Sequence, residues 1–255
     1  MSRRAVILAG GMGTRLRPFT VTIPKPLVPV GSDPVLDILV RQLSSHGFDH
    51  ITLAISAHSR LIRSFFGDGS EWSVKIDYSV ENQPLSTMGP LTLIKDLPET
   101  FLVMNGDVLT DLNFSEYYED HNAEKRLFTI ASHLRTQTID YGVLKSRDGM
   151  LVGFEEKPSI PFEVSMGIYV LDRRVLSFIP EGRPFGFDDL MHILLERNER
   201  VCVRPFSGYW KDIGRPDDYE QATNDIDHLT SKLFPQAGSP KDGSIDLRQI
   251  KSDAS

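Results

Sequence analysis

A single cysteine in 255 residues excludes an internal disulfide and a thiolate zinc cluster. The seven histidines show no metal-ligand spacing, so an imidazole metal centre is not expected either. Positive charge is also short: 28 Lys and Arg stand against 35 Asp and Glu, a formal net charge of -7. With a pI of about 5.5, the chain has no broad basic face for nucleic acid or an anionic membrane, and its local basic clusters are expected to serve a small anion. No apolar run approaches the roughly 20 residues of a membrane span. The first apolar run, residues 4–9, breaks into glycines too early for a secretory leader. A cytoplasmic protein with neither membrane nor nucleic-acid partners is expected. No internal repeat is visible.

What is present concentrates near the N-terminus. The β-type run Ala5 to Ala9 empties into Gly10, Gly11, Met12 and Gly13, then Thr14, Arg15 and Arg17, with Lys25 held between Pro24 and Pro26. Glycines let backbone N–H groups turn towards an anion and let it come close. The cations add charge that amides cannot supply. A dinucleotide fingerprint would need a third glycine where Leu16 stands, and a P-loop would need a following Gly-Lys-Ser/Thr. Neither is there.

Residues 4–9, 50–56, 74–78 and 100–104 read as strands, the first and last of them buried. Between them, Val35 to Leu43 follows the helical period after Pro34, and a short helix spans Leu61 to Phe66 before Gly67. The proline-rich stretch up to residue 33 reads as extended. Alternating strands and helices predict an α/β fold, a Rossmann-like, mostly parallel sheet with helices on both faces. The back half is richer in strands, at 127–134, 141–146, 150–154, 167–171 and 200–206, with Arg147-Asp148-Gly149 as a hairpin turn. Helices are expected over 188–198 and from Pro216 to about Lys232. One domain is expected over 1–235, with a nucleotide-type front half and an inserted β-rich part at about 125–215. Residues 236–255 read as a flexible tail.

The run from Leu8 through Arg15 to Thr20, with Pro24-Lys25-Pro26-Leu27, resembles the signature of the sugar-1-phosphate nucleotidylyltransferases. Gln83-Pro84-Leu85, Gly106-Asp107, Tyr141-Gly142-Val143, Glu156-Lys157-Pro158, Gly167 to Val170 and Trp210 to Gly214 extend the resemblance in order over about residues 3–225. In style it is nearest the short mannose- and heptose-1-phosphate guanylyltransferases. The resemblance implies a transfer in which a sugar-1-phosphate oxygen attacks the α-phosphate of a nucleoside triphosphate and pyrophosphate leaves. GTP with a mannose- or heptose-type phosphate is the first expectation.

Such a reaction forms no covalent enzyme intermediate, so the protein positions two polyanions and offsets their charge. Arg15 and Lys25 are assigned to the triphosphate, beside the amides of Gly10, Gly11, Met12, Gly13 and Thr14. Asp107, after a strand end, and Asp212 are assigned to Mg2+, a hard cation that prefers oxygen ligands. Leu8, Ala9, Gln83 and Ser86 are assigned to the nucleoside, and Gly142, Glu156, Lys157 and Ser165 to the sugar phosphate. Ser86 replaces a family glycine, Met88-Gly89 an Ala-Gly, and Ser165-Met166 an Asn-Ala, which leaves the base and the sugar open. A homo-oligomer is compatible with the sequence. The alternatives are a catalytically silent nucleotide-sugar-binding regulator on the same fold, or a thymidylyl-, cytidylyl- or uridylyltransferase. A dinucleotide oxidoreductase is opposed by the missing glycine. The chain shows no hexapeptide repeats of the kind some relatives add.

Overall fold

The computed structural model describes residues 2–234 other than Met12, Arg17, Pro18 and His58, and omits the side chains of Thr14 and Phe19. The segment 236–255, read above as a tail, lies outside the described residues. The strands are β1 (Arg4–Leu8), β2 (Pro29–Val30), β3 (Asp33–Pro34), β4 (His50–Ser56), β5 (Lys75–Glu81), β6 (Thr100–Asn105) and β7 (Val108–Thr110). They continue with β8 (Phe128–Thr138), β9 (Gly142–Arg147), β10 (Met150–Glu156), β11 (Ser159–Asp172), β12 (Val201–Phe206) and β13 (Trp210–Asp212). The helices are α1 (Val35–Ser45), α2 (Arg60–Phe66), α3 (Phe114–Ala123), α4 (Phe187–Glu196) and α5 (Pro216–Leu233). None is long and apolar enough to cross a membrane.

Seven strands form the central sheet in the order β12-β8-β11-β6-β1-β4-β5. Neighbours are parallel except at β11, which runs antiparallel to both β6 and β8. Strand β1, apolar from Ala5 to Leu8, is buried on both faces, and its side chains divide between them by the two-residue period of a strand. Ala5 and Ile7 join the core under α1, α2, α3 and α5, while Val6 joins the core under α4. Helix α1 supplies Val35, Leu36, Leu39, Val40 and Leu43 to the first core, and α4 supplies Leu190 and Leu194 to the second.

The chain builds β1, β4 and β5 outward to one side, then crosses to lay β6 on the other side of β1. That reversal opens a crevice at the carboxyl ends of β1 and β6, where open α/β sheets bind ligands. Three local features differ from expectation. The proline-rich stretch is not simply extended but holds 3-10 turns at Thr14–Leu16, Phe19–Val21 and Lys25–Leu27, since proline is tolerated within a helix's first turn, where Pro26 stands. Helix α3 had no strong apolar period; it starts where Asn113 caps the amide of Glu116 at 3.1 Å. Strand β11 is longer than residues 167–171, because its outer half pairs with β8 from Ser159 to Ser165.

Candidate active site

A cavity of about 690 Å³ fills the crevice. Its floor is the carboxyl ends of four strands: Leu8 at the end of β1 and Ala9 just after it, Ala54 and Ser56 on β4, Glu81 on β5, and Asn105 on β6. Hydrogen bonds set these ends in register, with the amide of Ala9 donating to Ala54 O at 2.8 Å and that of Gly106 to Leu8 O at 2.9 Å.

Gly10, Gly11 and Gly13 line one wall. A methyl group on Gly11 would meet no protein atom within 4 Å, so that backbone is open to a ligand. Gly13 has φ +60°, and a Cβ there would meet Lys25 Cβ at 2.8 Å and Thr20 Cγ2 at 2.9 Å. Only glycine satisfies both limits. The next turn buries Leu16, whose amide donates to Gly13 O at 3.0 Å. Arg15 is thereby left exposed on the cavity rim. Arg15 and Leu16 also line a smaller cavity, about 380 Å³, against Pro216, Tyr219, Glu220, Thr223 and Asn224. Met12 and Arg17 lie outside the described residues, as does the Thr14 side chain.

Lys25 enters from the 3-10 turn anchored by buried Pro26. Its ammonium forms an ion pair with Asp107, and both side chains are largely buried. Asp107 is carried between β6 and β7. Strand β7 pairs antiparallel with β13, placing Asp212 opposite Val108, and the amide of Ile213 donates to Asp107 O at 2.8 Å. The ladder thus makes the two aspartates neighbours across 105 residues of chain. Gly214 completes the arrangement: its amide donates to Asp212 Oδ1 at 2.9 Å. A Cβ on Gly214 would overlap Lys25 Nζ and meet Asp212 Oδ1 at 2.9 Å. Lysine ammonium and both carboxylates therefore converge on one spot at the cavity edge.

The loop after β5 forms the opposite wall, with Asn82, Gln83, Pro84, Ser86 and Thr87 lining the cavity. It is tied to the segment before α4: the amides of Met88 and Gly89 both donate to Phe185 O at 3.0 Å, and the amide of Phe187 donates to Thr87 Oγ1 at 2.8 Å. Gln83 Nε2 donates to Gly182 O at 3.3 Å. Ser86 has φ +64°, the left-handed region that glycine occupies without cost. Glu81, not singled out from the sequence, holds the amide of Leu85 through Oε2 at 3.0 Å, and its Oε1 lies against Gly10. One carboxylate thus joins the glycine loop to the opposite wall. The rule that strand carboxyl ends carry ligand groups would have found Glu81, Ser56 and Asn105.

Gly142, Glu156, Lys157 and Ser165 do not line this cavity. Gly142 and Glu156 pair at the base of the β9–β10 hairpin, and Lys157 Nζ forms a 2.8 Å ion pair with Asp140. Ser165 sits where the β8–β11 pairing slips between Ser165 and Tyr169, and its hydroxyl lies 3.1 Å from Tyr169 Oη. Gly167 in that irregularity has φ +72°, and a Cβ there would strike the Asn105 amide. Trp210, buried, donates from Nε1 to Met166 O at 3.0 Å and so fixes β13 to the same point. Cys202 is half-buried on β12, away from the site.

The sequence matches the nucleotidyl transferase family over residues 4–228, and the chain belongs to that family. Among its relatives, the UTP–glucose-1-phosphate uridylyltransferase of Synechocystis sp. is 33% identical over 244 residues, covering 88% of this chain and 63% of that protein. The mannose-1-phosphate guanyltransferase of Schizosaccharomyces pombe is 34% identical over 230 residues, covering 86% and 63%. The chain thus spans under two thirds of the length of these two relatives. The crystal structure of HddC from Yersinia pseudotuberculosis complexed with GMP-PN superposes with a TM-score of 0.68 at 26% identity, covering 88% of this chain and 99% of that one.

Proposed function

We propose that this chain transfers a nucleotidyl group from a nucleoside triphosphate to a sugar 1-phosphate, releasing pyrophosphate, with GTP as donor and a mannose- or heptose-type phosphate as acceptor. One observation carries the reading: the glycine loop, Arg15, Lys25 and Asp107 line a single cavity at the point where strand order reverses. A phosphate oxygen of the sugar 1-phosphate attacks the α-phosphorus, and the bond from that phosphorus to the bridging oxygen of pyrophosphate breaks. Arg15 and Lys25 offset the negative charge that grows on the departing oxygens, and the open amides of the glycine loop hold the triphosphate.

Asp107 and Asp212 fit Mg2+. Both are hard oxygen donors, the ladder makes them neighbours, and Asp107 already attracts a cation in Lys25. The described residues hold no cluster of three such ligands, which suits an ion that takes its remaining oxygens from phosphates and water. Held by Asp107 and Asp212, Mg2+ would supply positive charge that offsets the repulsion among the phosphate groups.

The preference for guanine rests on Glu81. A carboxylate accepts hydrogen bonds and donates none. Guanine offers it adjacent N–H donors, whereas uracil and thymine offer one N–H flanked by carbonyls that a carboxylate repels. Guanyltransferases among the relatives, and the GMP-PN bound to HddC, support the same base. The test is pyrophosphate release from five nucleoside triphosphates, each paired with a panel of sugar 1-phosphates. GTP with a mannose- or heptose-type phosphate should give the highest rate. Release from UTP or dTTP alone would overturn the guanine assignment.

A further inference from the structure

Asp212 stands at the end of β13, a strand of three residues paired with β7 in a two-stranded sheet. So short a ladder is marginal by itself. Yet it has to keep Asp212 opposite Val108 and the Ile213 amide on Asp107 O. Residues 213–215 then lead directly into α5. Side chains hold both ends of that turn. At the strand end, Trp210 is bonded through Nε1 to Met166 O, and the His133 ring lies 5.6 Å from it. His133 is itself fixed by donating from Nδ1 to Phe206 O at 2.9 Å. At the helix end is Asp218, whose side chain is 3% exposed.

One guanidinium touches both ends. Arg135 on β8 donates from Nη1 to Asp218 Oδ2 at 2.9 Å and from Nη2 to Asp218 Oδ1 at 3.2 Å. Its Cζ lies 5.7 Å from the centre of the Trp210 ring. The hydrogen bond to Asp218 raises the Arg135 pKa above its ordinary value against the effect of burial, and the charges of Asp218 and Asp212 add to the rise. Asp212 is therefore within reach of the same cation. Arg135 sits on the outer half of β8, which runs on with β11 into the projecting β9–β10 ribbon. Three separate stretches of chain thus meet beside Asp212.

We infer that Arg135 is a positioning residue for the transfer reaction: held by Asp218 and laid against Trp210, its guanidinium clips together the two ends of the turn that carries Asp212. The inference rests on the proposed reaction only through the role given to Asp212. A lysine could supply the charge but not the flat fork that meets a carboxylate edge to edge while lying on an indole. An enclosed ion pair adds little net stability over well-packed apolar groups. What Arg135 contributes is direction, limiting the swing of Asp212 relative to Asp107. Lys211, the other cation near Asp218, stands 3.9 Å off and donates to Gln221 instead, so it does not replace the clip.

The test compares Arg135→Lys, Asp218→Asn and the double variant with wild type in three measurements. These are hydrogen exchange of the Ile213 and Gly214 amides, Mn2+ affinity by titration calorimetry, and kcat and KM for pyrophosphate release. Arg135→Lys keeps the charge that balances buried Asp218, so its melting temperature should fall by no more than about 4 °C. Exchange at Ile213 and Gly214 should speed up while that of β1 and β6 stays as it was. Mn2+ affinity and kcat should each fall roughly 10–100-fold, as loss of the support behind a metal ligand does, with KM for the triphosphate little changed. Asp218→Asn should give the same pattern, and the double variant no more than either single one, because each removes the same clip. Unchanged Ile213 exchange in Arg135→Lys would overturn the inference. So would equal acceleration throughout the chain, or losses that add in the double variant. Exchange needs neither metal nor turnover, so a wild-type chain that releases no pyrophosphate would count against the reaction while exchange still decides the clip.

Discussion

The ammonium of Lys25 is paired with the carboxylate of Asp107, 82 residues further along the chain, at the edge of the central cavity. The same ammonium fills the space above Gly214, beside Asp212. On the proposed metal assignment, the lysine ammonium stands beside both carboxylates that would hold the cation. Lys25→Met should lower turnover on the order of 10²–10³-fold, as loss of one charge-stabilising donor does. The same variant should bind Mn2+ more tightly when free of nucleotide, by about tenfold, because a competing charge is gone. Lys25→Arg, which keeps the charge, should not. Equal Mn2+ affinity in wild-type and Lys25→Met chains, by titration calorimetry, would show that lysine and metal do not compete.

Asp107→Asn and Asp212→Asn each remove one carboxylate from the spot that the β7–β13 ladder creates. Each should weaken Mn2+ binding at least tenfold and reduce pyrophosphate release on the order of 10²-fold or more. In Asp212→Asn the substituted side chain keeps an amide oxygen that can accept from Gly214 N–H, so the fold should hold and the melting temperature should move little. Unchanged metal affinity in Asp212→Asn would exclude that residue from the metal site.

Glu81→Gln keeps an oxygen for the amide of Leu85 and replaces an acceptor facing the cavity with a donor. GTP should lose roughly 10–100-fold in kcat/KM, as a mismatched hydrogen bond in a closed site costs. UTP and dTTP, whose carbonyls can accept from the new amide, should lose less or gain. Parallel losses for all three triphosphates would mean that Glu81 only braces the loop.

His121 is buried in α3 with Nδ1 2.8 Å from Thr129 Oγ1, and burial, helped by Arg126, lowers its pKa to about 4. The unfolded chain takes up this proton near pH 6.5 and the folded one does not until about pH 4. Stability is therefore full above the higher value and falls as pH drops through that window. Burial lowers His46 in the same direction. Between pH 7.5 and 5 His121 should account for roughly 2 kcal/mol of lost stability. Urea unfolding at both pH values should show a smaller difference in His121→Gln than in wild type. An identical difference would assign the acid limb to other groups.

The parallel front half was legible because its strands are short, apolar and punctuated by Gly and Pro, signals that act within a few residues. The phosphate loop was legible for the same reason: Gly10 to Lys25 is contiguous and its demands are local. Helix α3 was not, since Tyr117, Tyr118 and His121 are buried alongside Phe114 in a segment with little apolar contrast. The meeting of Asp107 with Asp212 depends on a three-residue ladder between strands about 100 positions apart, which no local pattern encodes. Glu81 lies against the glycine loop only in the folded chain, 71 residues from Gly10, so no local pattern marks it. Gly142, Glu156 and Lys157 were assigned by resemblance to the sugar phosphate, and the structure places them on the projecting ribbon rather than in the cavity.

The most direct test of the reaction follows phosphorus from two labelled pools of GTP through the purified chain with mannose 1-phosphate or a heptose 1-phosphate and Mg2+. Label in the α-phosphate should appear in the nucleotide sugar and label in the γ-phosphate in pyrophosphate, both stopping with chelator and both falling sharply in Lys25→Met. Binding of GTP and nucleotide sugar without transfer of either label, across all nucleoside triphosphates, would contradict the catalytic reading and leave a regulatory protein on the same fold.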